Sequence, residues 1–86
     1  MTLQHFRSVS NYVQQLVVKH HGVYLADRIV GNQQVVLYGV DGFYIETFLK
    51  PPAAKVVSLN SFEDPDLLEP YLSCVDLSEL SLTLNS

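Results

Sequence analysis

Apolar residues recur at spacings of three and four near the N-terminus, at Leu3, Phe6, Val9, Val13, Leu16 and Val17. That spacing puts them on one stripe and predicts an amphipathic helix over about residues 2–20. Gly22 is placed to end it, and Lys19, His20 and His21 fall in the last turn, where positive groups meet the negative end of the helix dipole.

From Val23 onward the pattern changes to β-branched and aromatic residues divided by turns. Gly31-Asn32 and Asp41-Gly42 suit two-residue hairpin loops, because Gly, Asn and Asp tolerate the positive φ such turns need. They predict four antiparallel strands in a meander, over about residues 23–30, 33–40, 43–50 and 55–62. With Val30 opposite Gln33 and Val40 opposite Phe43, the period of two assigns every side chain of the first three strands to a face.

The helix-side face then carries Val23, Leu25, Asp27 and Ile29, then Gln34, Val36, Tyr38 and Val40, then Phe43, Ile45, Thr47 and Leu49. The far face carries Tyr24, Ala26, Arg28 and Val30, then Gln33, Val35, Leu37 and Gly39, then Tyr44, Glu46, Phe48 and Lys50. On this register Gly39 lies between Tyr24 and Tyr44, whose rings would cover the missing side chain. The fourth strand has two registers. A four-residue loop at Pro51-Pro52-Ala53-Ala54 puts Val56 and Phe62 on the helix side, whereas a five-residue loop or a bulge puts Val57 and Leu59 there.

After Phe62, the run Glu63-Asp64-Pro65-Asp66 has the acidic groups and proline of a helix start. Pro70 breaks it early, and a second turn from Pro70 to about Cys74 would set Leu67, Leu68, Tyr71, Leu72 and Val75 against the sheet. Asp76 with Glu79 resembles a capping pair before Leu80, and residues 83–86 are expected to fray. The fold expected is one α+β domain spanning 1–86: an N-terminal amphipathic helix packed on a four-stranded antiparallel β-meander, with short C-terminal helical turns.

Composition sharpens this picture in two ways. The 86 residues are 48% hydrophobic and only 16% charged, rich in apolar groups for so small a body, so part of the surface is expected to be covered by another chain. Residues 1–55 hold all five Lys and Arg against three acids, while residues 56–86 hold the other six acids and no Lys or Arg. An acidic tail repels a phosphate backbone, and the first half lacks the basic cluster that duplex binding needs, so no nucleic-acid partner is expected. Solvation alone also accounts for such a tail.

No apolar run approaches the roughly 20 residues that span a bilayer, and the N-terminus lacks the basic start and apolar core of a signal peptide. With Cys74 the single cysteine, an intramolecular disulfide is excluded, and a reducing, cytoplasmic setting without membrane association is the expectation.

Candidate chemistry is sparse. His20 and His21 are adjacent, so about 100 degrees apart on a helix, and His5 lies about four turns away, which argues against a shared metal. Cys74 in an apolar and acidic setting reads as a small buried hydrophobe, not a thiolate. Asp27 is predicted on the helix-side face near Val36 and Thr47, where an acid needs a partner; no second acid stands at catalytic spacing. The four glycines form no phosphate-cradling run, and nothing points to a cofactor or a small-molecule ligand.

The far face is the remaining feature: Tyr24, Leu37, Tyr44 and Phe48, with Arg28 and Glu46 for orientation, make an apolar patch rimmed by charge. The sequence therefore reads as a protein-interaction module, with a homodimer through this aromatic face the expected assembly, and not as an enzyme. The competing reading has the C-terminal turns folding over that face. An acidic inhibitor or immunity-type protein occupying a basic site on a partner enzyme is the alternative of another class, and a small enzyme using Asp27, Cys74 or a histidine is a third.

Overall fold

The N-terminal stripe folds as two helices instead of one. The computed structural model describes residues 1–52 and 55–72, and in it α1 spans Leu3–Ser8 and α2 spans Asn11–His21. Val9 and Ser10 between them are extended. The reason is local: Ser10 caps α2 by accepting from Val13 N, and the Ser8 hydroxyl donates to the His5 carbonyl, so both serines serve helix ends. Gln14 holds the joint by donating to the Phe6 and Val9 carbonyls. The break resets the phase of the stripe, so α2 buries Val17 and Val18 while Val13 and Leu16 stay partly exposed along its flank.

Four strands follow in sequential antiparallel order: β1 (Val23–Val30), β2 (Gln33–Val40), β3 (Phe43–Lys50) and β4 (Lys55–Phe62). Both predicted hairpins form, with Val30 opposite Gln33 and Val40 opposite Phe43. The two turns differ in backbone. Asp41 (φ 46°) and Gly42 (φ 91°) are both left-handed, as in a type I′ turn, whereas at Gly31-Asn32 only Gly31 (φ 62°) is, as in type II′.

Two bulges alter the expected faces. In β1 the register shifts between Tyr24 and Ala26, so Leu25 is the extra residue, Tyr24 lies opposite Tyr38 and Val23 opposite Gly39. Tyr24 thereby moves to the helix side. Leu25, not a pair of flanking rings, fills the gap at Gly39, where an added Cβ would lie 3.2 Å from Leu25 Cδ1. In β4, Lys50 faces Lys55 across a four-residue loop and Leu49 faces Val56, but a shift beside Phe48 leaves Val57 unpaired and exposed. Val56 and Leu59 consequently share the helix side and Phe62 goes to the far side, a combination of the two expected registers.

Phe6, Val17 and Val18 pack on Val40, Phe43 and Ile45 to form the helix-side core. The far side is covered by a 3-10 turn, Pro65–Leu68, that runs directly into α3, Glu69–Leu72. Asp64 caps the turn by accepting from Asp66 N, and Pro70 is the second residue of α3, within the first turn that tolerates proline, so it does not break the segment. Leu68 and Tyr71 join Val35, Leu37 and Phe62 in a second core, while Leu67 and Leu72 are exposed. The expected contact of Val75, the Asp76/Glu79 cap and Cys74 lie outside the described residues.

The turn geometry makes a test. Gly42→Ala forces an alanine into left-handed backbone and is expected to lower unfolding free energy in urea by about 1–2 kcal/mol. Asn32→Ala, at a position without positive φ, should leave the urea midpoint nearly unchanged; equal losses at both positions would contradict the two turn assignments.

Candidate functional site

Three places in the fold bring chemistry-bearing side chains together. On the far face Glu46, at the middle of β3, is buried and accepts three hydrogen bonds: from Tyr71 Oη at 2.6 Å, Asn60 Nδ2 at 2.8 Å and Arg28 Nη2 at 3.3 Å. The Arg28 guanidinium also lies over the Tyr71 ring, 5.0 Å from its centroid, a cation–π arrangement. Arg28 Nε is buried with no hydrogen-bond partner among the described residues. Burial, then the bond to Glu46, pushes the Tyr71 phenol well above its ordinary value of 10.0. Every arm of this network is a contact between strands or between the sheet and α3, so it fastens the C-terminal turn to the sheet.

The six residues singled out from the sequence are not gathered into one open surface. Leu37 is only 2% exposed and Glu46 is buried, while Tyr44 and Phe48 pack beneath Phe62, Tyr71 and Leu68. The Tyr44 and Phe62 rings lie 5.4 Å apart. Arg28 is held by Glu46 and Tyr71, and Tyr24 stands on the other face, edge-on to Tyr38 at 6.5 Å. The C-terminal turn thus closes over the patch that composition had suggested for docking.

The second place is the outer side of β1. It is an edge strand, and among the described residues no backbone group pairs along its outer side. Ile29 is 70% exposed, Val23 63% and Tyr24 58%, with Leu25 and Val30 also exposed. The opposite edge is better protected, because Arg7 of α1 reaches Ser61 in β4 with Nε on the hydroxyl at 3.1 Å and Nη2 on the carbonyl at 2.6 Å.

The third is a groove of about 380 Å³ between the flank of α2 and the sheet. Tyr12, Leu16 and Lys19 form one wall and Tyr38, Leu49 and Val56 the other. It exists because the broken N-terminal helix rests on the Val40–Phe43 end of the sheet and leaves the Leu49–Val56 end uncovered.

Asp27 has the predicted partner strand, opposite Val36, but not the predicted burial. It lies at the exposed edge and accepts from Gln34 Nε2 at 3.0 Å, while the Thr47 hydroxyl bonds to the Val36 carbonyl. His5, His20 and His21 are all exposed, and no cluster of His, Cys, Asp and Glu suited to a metal ion occurs among the described residues. None of the described helices is long and apolar enough to cross a membrane. Comparison with known protein families, with curated proteins and with solved structures finds no match to the chain.

Sequence reasoning missed the exposed residues of β1 because strict alternation puts Val23, Leu25 and Ile29 together on the helix-side face, under the N-terminal helix. It also missed Tyr71 as the residue that closes the far face, although Tyr71 had been placed against the sheet.

The network predicts a pH dependence with a definite sign. A phenol whose pKa is raised on folding contributes stability below its unfolded value, and that contribution is lost as the pH climbs from about 10 through the folded value. Urea unfolding free energy should therefore fall steeply above about pH 10 in the parent and less steeply in Tyr71→Phe, which should also lose the last component of the tyrosinate absorbance titration. Arg28→Ala, which leaves Glu46 buried without its cation, is expected to cost about 2–3 kcal/mol at neutral pH, the usual loss being reduced because Arg28 retains some solvent.

Proposed function

We propose that this protein is a small interaction module that extends its sheet by accepting a strand along the free edge of β1, and that a second copy of the chain is the partner it takes. The observation that carries this reading is the unpaired outer main chain of β1, flanked on the two faces of the sheet by exposed Val23, Tyr24, Leu25, Ile29 and Val30 within one eight-residue strand. Edge strands in monomers are ordinarily guarded by lysine, proline, short length or a covering element. β1 contains neither lysine nor proline and is as long as the central strands; the Leu25 bulge and the charges of Asp27 and Arg28 interrupt it at its middle, and the apolar residues stand at its two ends.

Two copies related by a two-fold axis perpendicular to the sheet would pair β1 with β1 antiparallel and keep the helix layers on one side. Main-chain hydrogen bonds would then supply affinity and the exposed side chains would supply buried apolar area. Tyr24 and Arg28 of the sequence-derived set belong to this strand; Leu37, Tyr44, Glu46 and Phe48 act behind it by holding the far face closed.

Sedimentation equilibrium from micromolar to submillimolar concentration provides the measurement. The parent chain should reach a dimer, and Ile29→Lys, an exposed change that places a charge on the edge, should raise the dissociation constant at least about tenfold while leaving the urea midpoint unchanged. A parent that stays monomeric over the whole range, or a dimer indifferent to Ile29→Lys, rejects this edge as the contact.

A further inference from the structure

We infer that the groove between α2 and the Leu49–Val56 end of the sheet is a binding site for a small amphipathic carboxylate, its apolar chain lying between Tyr12, Leu16, Tyr38, Leu49 and Val56 and its anionic group at Lys19. The inference is independent of the β1 edge. At about 380 Å³ the groove falls within the size range of small-molecule sites, and its walls are mainly aliphatic and aromatic with few polar groups, as such sites are.

Charge decides the chemistry of the occupant. Among the described residues lining the groove Lys19 is the only charged one, and it makes no ion pair among the described residues. His20 and His21 follow it in the same turn and no acid lines the walls among the described residues, although the chain carries a net charge of -4. An anion is thus drawn to this place on an otherwise acidic protein, and the full charge of Lys19 outweighs the partial negative charge of the helix end. On the sheet side the Thr47 hydroxyl already donates to the Val36 carbonyl, so an apolar chain laid over it leaves that donor paired.

Ligand cover would also account for Tyr12. Its side chain is 72% exposed at the groove's rim, close to Leu16 one turn on along the same flank of α2. A chain in the groove would take apolar surface of both residues out of water.

Isothermal titration with three probes of equal chain length tests the site: decanoate, decan-1-ol and decyltrimethylammonium, each below its aggregation threshold. Decanoate should bind saturably, one per chain, more tightly than the alcohol, with the cation weakest. Lys19→Gln should weaken decanoate roughly two- to fivefold, the size of a partly exposed ion pair, and leave the alcohol unchanged. Tyr12→Ala should weaken both by about fivefold or more through lost apolar contact. Both positions are exposed, so the fold survives and a far-ultraviolet dichroism spectrum checks it. Absence of saturable decanoate binding, equal binding of the three probes, or insensitivity to both variants would overturn the site. So would a Tyr12→Ala chain that loses self-association but keeps decanoate, because it would assign the groove to a protein segment.

Discussion

The central strands β2 and β3 carry large apolar side chains on both faces, so the sheet has to be covered twice. Val40, Phe43 and Ile45 point one way and Val35, Leu37 and Phe48 the other. One layer of helix satisfies a sheet with a single apolar face; here the N-terminal helices cover the first face and the short C-terminal turn the second. Both covers are small. Burial of an aliphatic or aromatic side chain contributes about 1.5–3 kcal/mol, so Phe6 on one side and Tyr71 on the other are anchors out of proportion to the length of the helices that carry them.

A buried carboxylate at the middle of the far face fits this requirement. A four-residue helix has too little apolar surface to hold its position by burial alone, and its own hydrogen bonds are too few to make it stable in isolation. Glu46 supplies direction where area is short: Tyr71 can reach it only when α3 lies across β1 and β3, and Arg28 neutralises the charge while stacking on the same ring. The network draws on β1, β3, β4 and α3, so removing Arg28 while α3 stays in place strands the Glu46 carboxylate away from water, which costs more than the pairing gains.

Much of this was legible in the sequence, and the failures have physical causes. Gly31 and Gly42 require left-handed backbone, so both turns, and the pairing from Val30 back to Ala26, could be counted outward from them. The bulge at Leu25 has no local signature. Its signal lies on the neighbouring strand at Gly39, whose missing side chain leaves room for Leu25, and such a gap can be read either as covered by flanking rings or as filled by an extra residue. The helix break at Val9-Ser10 was written in the two serines, but an apolar spacing that continues through it masked the interruption. Asp27 shows a third limit: period two assigns a face, whereas burial depends on how far the covering helix reaches.

That reach also explains why the open features of the molecule stand where they do. Two helices set at the Val40–Phe43 end cannot also cover Leu49 and Val56 or the outermost strand, so a groove and an apolar edge are left by the same placement. The asymmetry of the two edges has its origin in the N-terminal segment too, for Arg7 of α1 hydrogen-bonds to Ser61 on β4, including its main-chain carbonyl, whereas among the described residues α3 meets β1 through the Arg28 side chain and leaves its outer main chain unpaired. A helix continuous through Val9 would carry α1 along the axis of α2 and away from β4, moving Phe6 and Arg7 together. Protection of the β4 edge is therefore tied to the break at Val9-Ser10, which the Ser10 cap, the Ser8 hydroxyl and the Gln14 amide hold together.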